Sequence, residues 1–157
     1  MSTKKNSFTP TRGMRNNNPL NIIRLDSNDW LGKITDSCAT DAKFEQFRHP
    51  KYGFRAAFIL LHRYINRGCN TVERIISRWA PASDMNDVPH YISMVCDYTG
   101  FTPETPIHNY KYSEMSALIE AMFFVENGVF MHSVPDKNYW YEALSDGYDL
   151  YVDRFVN

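Results

Sequence analysis

A chain of 157 residues suits one domain around one core, large enough to bury roughly two thirds of the surface its unfolded chain exposes, and argues against a second domain. Its formal net charge of −1 argues against a general polyanion binder, because affinity for nucleic acid rests on a basic surface that displaces counterions. Cys38, Cys69 and Cys96, odd in number and without close ligand spacing, fit reduced thiols better than a disulfide framework or a zinc site.

The charge is unevenly placed along the chain. Lys4, Lys5, Arg12, Arg15 and Arg24 precede the first acid, Asp26, and residues 1–12 read as a flexible basic tail ahead of a single domain over 13–157. The start "MSTKKNSFTPTRG" has no apolar h-region, and no later stretch approaches about 18 consecutive apolar residues. Neither a secretory signal nor a membrane span is expected, so the protein should be synthesised in the cytoplasm and reach any outside target by another route.

After the tail, "RNNNPLNIIRL" gathers Asn16, Asn17, Asn18 and Pro19 into a turn and leads into a short β-prone segment, Asn21 to Leu25. A second turn follows at "DSNDWLGK". "ATDAKFEQF" again has strand character, and the two segments together suggest a small hairpin or three-stranded sheet.

Four amphipathic helices are expected next. The first spans about Tyr52 to Asn66, with Phe54, Ala57, Phe58, Leu61 and Ile65 in line. "NTVERIISRWAP" is the second, opened by Asn70 with Glu73 in the capping-box position, faced by Val72, Ile75, Ile76 and Trp79, and stopped near Pro81. The third runs from about Asp87 to Tyr98 with Gly100 just beyond, and the fourth from Ser113 to a cap at Asn127 and Gly128. A last aromatic-rich helix, or a pair of them, occupies Tyr139 to Phe155. The fold class is α+β, mostly helical, with a small N-terminal β-sheet.

The fourth helix carries the most informative residue. At about 100° per residue, Met115, Leu118, Ile119, Met122 and Phe123 share one face, and Glu126 projects into the middle of it. A carboxylate avoids the buried side of a helix unless something compensates its desolvation. Either Glu126 reaches solvent past the last turn, or its apolar surroundings raise its pKa toward neutrality, which suits a general acid at a glycosidic oxygen. Glu45 in "KFEQF" would share a strand face with Phe47. It is either an ordinary solvent-side strand residue or the second of the two carboxylates that glycosidases commonly use.

Aromatic residues make up 15% of the chain, and Trp30, Trp79, Tyr110, Tyr139, Trp140 and Tyr141 offer flat faces with polar tips that suit sugar rings. Most belong to the core, Trp79 among them, whereas Trp30 lies in the polar turn "DWLGK". A thiol mechanism would need Cys38, the one cysteine outside an obvious helix, beside a histidine. Nothing in the spacing of His49, His62, His90, His108 or His132 fixes such a pairing.

The segments "RGMRNNNPLNI", "WLG", "KFEQF" and "YGFRAAFILLHRY" resemble small phage and prophage proteins of the lysozyme-like, muralytic group, and the substrate lobe of flagellar-type glucosaminidases. In that comparison Asn17, Asn18, Ile22, Trp30, Gly32, Glu45, Phe54, Arg55 and Tyr64 match in kind. In those enzymes the principal acid closes a helix that precedes the Asn-rich turn. Here "LIEAMFFVENG" looks like that helix relocated to the other end of the chain, which implies a circularly permuted lysozyme-like arrangement. The resemblance covers roughly residues 12–67 and, more loosely, 113–128.

It implies cleavage of the peptidoglycan glycan strand, by hydrolysis or by lytic transglycosylation, with Glu126 as general acid and Glu45 as second carboxylate or orienting group. Asn17 and Asn18 would bind N-acetyl groups, Trp30 would stack on a sugar face, and Arg55 and Tyr64 would contribute to substrate binding. No metal or organic cofactor is implied. The partner is peptidoglycan, reached after release or through a virion or a secretion apparatus, with no nucleic acid. Two other classes remain open: a non-catalytic glycan-binding or virion structural module, and a Cys-dependent amidase or peptidase acting on peptide stems.

Overall fold

The helices form where the apolar period demands them, and their ends follow from identifiable caps. In the computed structural model, which describes residues 7–35 and 37–155, α1 is a single turn, Arg12–Arg15, N-capped by Thr11. The remaining helices are α2 (Pro50–Asn66), α3 (Val72–Trp79), α4 (Val88–Thr99), α5 (Tyr112–Asn127) and α6 (Lys137–Phe155). Short 3₁₀ turns at Ala82–Asp84 and Met131–Ser133 join α3 to α4 and α5 to α6. The α3 cap is Thr71, whose side chain accepts from the Arg74 N–H, one residue later than the expected Asn70. Gly100 and Gly128 close α4 and α5 in the left-handed conformation.

The core is shared by all the long helices, through residues such as Phe54, Phe58, Ile76, Val95, Leu118, Phe123 and Leu144. The closest pairing is α2 on α6. A Cβ on Gly147 would stand 2.8 Å from both Lys51 O and Phe54 Cβ, so glycine is what lets the two backbones approach. Tyr151 stacks on Phe58 and engages His62 Nδ1 at 2.6 Å, with its hydroxyl donating to Asn109 O. His62 is thereby a packing residue, and burial lowers its pKa. No helix among the described residues is long and apolar enough to cross a membrane.

The expected N-terminal β-sheet is not present. Among the described residues there is no strand, and residues 16–48 show only isolated antiparallel bridges, Ile23 with Phe44 and Lys33 with Phe47. The two segments do lie side by side, with Glu45 N donating to Ile22 O and Arg24 N to Lys43 O, both at 2.9 Å. A ladder fails to develop because the backbone turns left-handed at Asn17 and Asn21, with φ of 52° and 53°. The Asn18 carboxamide then takes the ladder's place, accepting from Ile22 N and donating to Ile22 O and Glu45 O. The fold is mostly helical, as expected, but the β part of the α+β reading is corrected to bridged loops.

Arg12, assigned above to the basic tail, belongs to the folded unit. Its guanidinium grips Asp41 through two bonds of 2.8 and 2.7 Å, and Asp41 also accepts from Asn16 and from the N–H groups of Lys43 and Phe44. These donors, Arg12 first, hold the Asp41 carboxyl well below the usual carboxylate range. Lys4 and Lys5 lie outside the described residues.

Candidate active site

Glu126 stands on the last turn of α5, where the helix end meets the Asn-rich turn. Asn127 does the fastening: its amide donates to Pro19 O at 2.8 Å and to Phe123 O, and its carbonyl accepts from Thr11 Oγ at 2.5 Å. Gly13 makes the approach possible, since a Cβ there would lie 2.8 Å from Asn127 Oδ1 and 2.9 Å from Asn21 Oδ1. The left-handed Asn21 is thus brought to the Glu126 carboxylate.

That carboxylate is held by neutral donors. Asn21 Nδ2 donates to Oε2 at 3.1 Å, the hydroxyl of buried Tyr91 donates to Oε1 at 3.2 Å, and the Trp79 indole N–H contributes as well. Burial dominates these bonds and pushes the Glu126 carboxyl above its ordinary pKa, while each donor opposes that rise. Burial together with the Glu126 charge sends the Tyr91 phenol far upward, so Tyr91 remains a donor.

The carboxyl opens into a cleft of about 590 Å³. Trp30, Trp79, Tyr64 and Phe44 supply aromatic surface, Asn28 and Asn86 supply amides, and Ile23, Leu25 and Met85 form an exposed apolar rim. Tyr64 and Trp79 meet edge to face at 6.4 Å, and Asp84 is the other carboxylate on the wall. Polar groups converging on a concave surface beside a carboxyl displaced by burial define a candidate functional site.

The residues singled out from the sequence are partly brought together. Glu126, Trp30 and Tyr64 share the cleft. Glu45 does not line it. The strand on which it was expected to share a face with Phe47 is not formed, and both residues are buried, each only 1% exposed. Lys33 Nζ lies 3.2 Å from Glu45 Oε1, and burial raises the Glu45 pKa against this cation. Asn17 donates to Phe47 O and fully buried Asn18 is consumed by the turn, so both amides serve the backbone. Arg55 is buried and lines a separate pocket, not the cleft.

Three residues that touch Glu126 were not read as site residues. Asn21 and Tyr91 are far from it in sequence, and Trp79 sits in register with a core stripe that conceals its indole N–H. Cys38 is exposed with Ser37 Oγ at 3.8 Å, and burial pushes the Cys96 thiol up, away from the thiolate form.

No family model matches the sequence. The chain nevertheless belongs to a family that includes a phage protein. It is 34% identical over 141 residues to Protein P5 of Pseudoalteromonas phage PM2, an alignment that covers 88% of this chain and 80% of that relative. The phage association expected from the sequence is supported by this kinship.

Proposed function

We propose that the protein is a muralytic enzyme that cleaves the glycan strand of peptidoglycan between alternating amino sugars, with Glu126 as general acid. The observation that carries this reading is a carboxyl raised by burial and held by Asn21, Tyr91 and Trp79 at the wall of an aromatic, amide-bearing cleft. The resemblance to lysozyme-like muralytic proteins supports it, as does the fastening of the α5 end to the Asn-rich turn. Those are the two pieces that a circular permutation would separate in sequence and rejoin in space.

The position of Glu45 favours lytic transglycosylation within this class. Glu126 protonates the glycosidic oxygen, the bond to the anomeric carbon breaks, and the leaving sugar departs with that proton. The Glu126 carboxylate then takes the proton of the bound sugar's own C6 hydroxyl as its oxygen closes on the anomeric carbon. The product is an anhydro sugar and the acid is restored. Tyr64 and Trp79, both partly buried, would stack on the sugar rings, whereas Trp30, only 7% exposed, would back the cleft wall instead of stacking, and Asn28 and Asn86 would receive N-acetyl groups in place of Asn17 and Asn18.

The test is release of soluble material from purified peptidoglycan by the wild type and by Glu126→Gln, with thermal melts of both. Release by the wild type, and none by a variant that remains folded, is the expected result. An equal rate in the two proteins removes Glu126 from the mechanism. Release blocked by thiol alkylation would instead favour the amidase class.

A further inference from the structure

A second cavity, of about 620 Å³, shares Asn28 and Trp30 with the cleft as wall residues. Its wall is cationic. Arg55, Arg63, Arg48 and Arg154 line it, against Asp29 as the acid on its lining among the described residues. Lys33 also reaches it, but its ammonium is engaged by Glu45 and by the carbonyls of Leu25 and Asn28. The Arg63 guanidinium sits 5.7 Å from the Trp30 ring centre, over its face.

Arg55 is the unusual member. It is only 8% exposed, yet its Nε is buried with no acceptor among the described residues. The Trp30 indole N–H is likewise buried without a partner. A charged neighbour of Arg55 is Arg154, of the same sign, and burial and this neighbour both lower the Arg55 pKa. Buried guanidinium groups are ordinarily paired, because an uncompensated charge in a low-dielectric site is costly. A helix that places an arginine at such a position, facing a cavity rimmed by three more, is organised to receive an anion of planar, bidentate geometry.

We propose that this pocket binds a carboxylate of the peptide branch carried by the glycan strand, so that the enzyme reads a stem-bearing sugar beside the bond it cuts. The assignment rests on the peptidoglycan reading above, and Trp30 is its geometric basis, since one side chain forms a wall of both cavities. A nucleic acid fits less well: the arginines are gathered in one bounded pocket on a chain of net charge −1, not spread along an extended basic face.

The experiment titrates the full-length wild type, Arg55→Met and Arg154→Gln calorimetrically with the free stem peptide L-alanyl-γ-D-glutamyl-diaminopimelyl-D-alanine, with the same peptide fully amidated, and with inorganic phosphate. The free peptide should bind the wild type at least tenfold more tightly than its amide, and each variant should lose at least tenfold. Arg55→Met should melt no lower than the wild type, because it removes an unpaired buried charge, so lost binding is separable from lost folding. Equal binding of free and amidated peptide, wild-type affinity in both variants, or binding of phosphate without the peptide would each overturn the assignment. Binding needs no turnover. Peptide binding with an inactive Glu126 cleft would therefore refute the catalytic reading alone, and cleavage of stem-free glycan without peptide binding would refute the pocket assignment alone.

Discussion

Replacing Glu126 by glutamine should stabilise the protein, and more so as the pH rises. The carboxylate accepts from Asn21, Tyr91 and Trp79. Each hydrogen bond to a charged group contributes about 1.5–3 kcal/mol. Removing a carboxylate from water costs several kcal/mol, and here burial outweighs the donors, because the net displacement of the pKa is upward. The folded state therefore binds the Glu126 proton more tightly than the unfolded chain does. Its contribution to stability is fully present below the unfolded value of about 4.3 and is lost as the pH rises through the higher folded value.

Glutamine has the same shape and does not ionise, and like the neutral acid it keeps one acceptor oxygen and presents a donor at the other position. The two proteins should then melt together near pH 4 and separate toward pH 8, with the variant ahead by about 1 kcal/mol, or about 2–4 °C in a chain of this size. The assay is thermal unfolding followed by circular dichroism at intervals across that range. A difference that is independent of pH, or a variant that loses ground at alkaline pH, would refute the claim that Glu126 is held against its own ionisation.

Other consequences follow from neighbouring contacts. Tyr91→Phe removes a donor that lowers the Glu126 pKa, so the alkaline limb of the pH–rate profile should move to higher pH; a limb that stays in place would separate Tyr91 from the acid. Gly13→Ala drives a methyl against Asn21 Oδ1 and Asn127 Oδ1, and should cut turnover at least tenfold with the helical signal in circular dichroism retained. Asp41→Asn breaks the bond set that ties α1 to the 41–44 loop, and should lower the melting temperature at neutral pH by roughly 5 °C or more. The Asp41 pKa is depressed on folding, so that advantage is present above the unfolded value of about 3.9 and fades as the pH falls through the folded one.

The helices were legible because burial imposes a period close to 3.6 that the sequence prints directly: the third, expected over about Asp87 to Tyr98, is α4, Val88–Thr99. Glu126 was legible for the same reason, as a charge within an apolar stripe. The bridged loops were not, because a strand-like pattern around Ile22 and Phe44 says nothing of asparagine side chains that will substitute for ladder bonds. Glu45 shows how alternation can mislead: it was read either as a solvent-side strand residue or as a cleft carboxylate, but no strand forms there and long-range packing buries it together with Phe47. Asn21, Tyr91 and Trp79 reach Glu126 only through the packing of four separate segments, and no local period encodes that meeting. Arg55 was read as a substrate-side residue through resemblance, whereas its missing acceptor emerges only when its burial and the cavity before it are seen together.

The most direct test of the central claim is mass spectrometry of the soluble fragments released from purified peptidoglycan by the wild type and by Glu126→Gln. The account predicts disaccharide-peptide fragments from the wild type alone, lighter by one water than their reducing counterparts. Fragments from both proteins, or stem peptides without sugars, would contradict it.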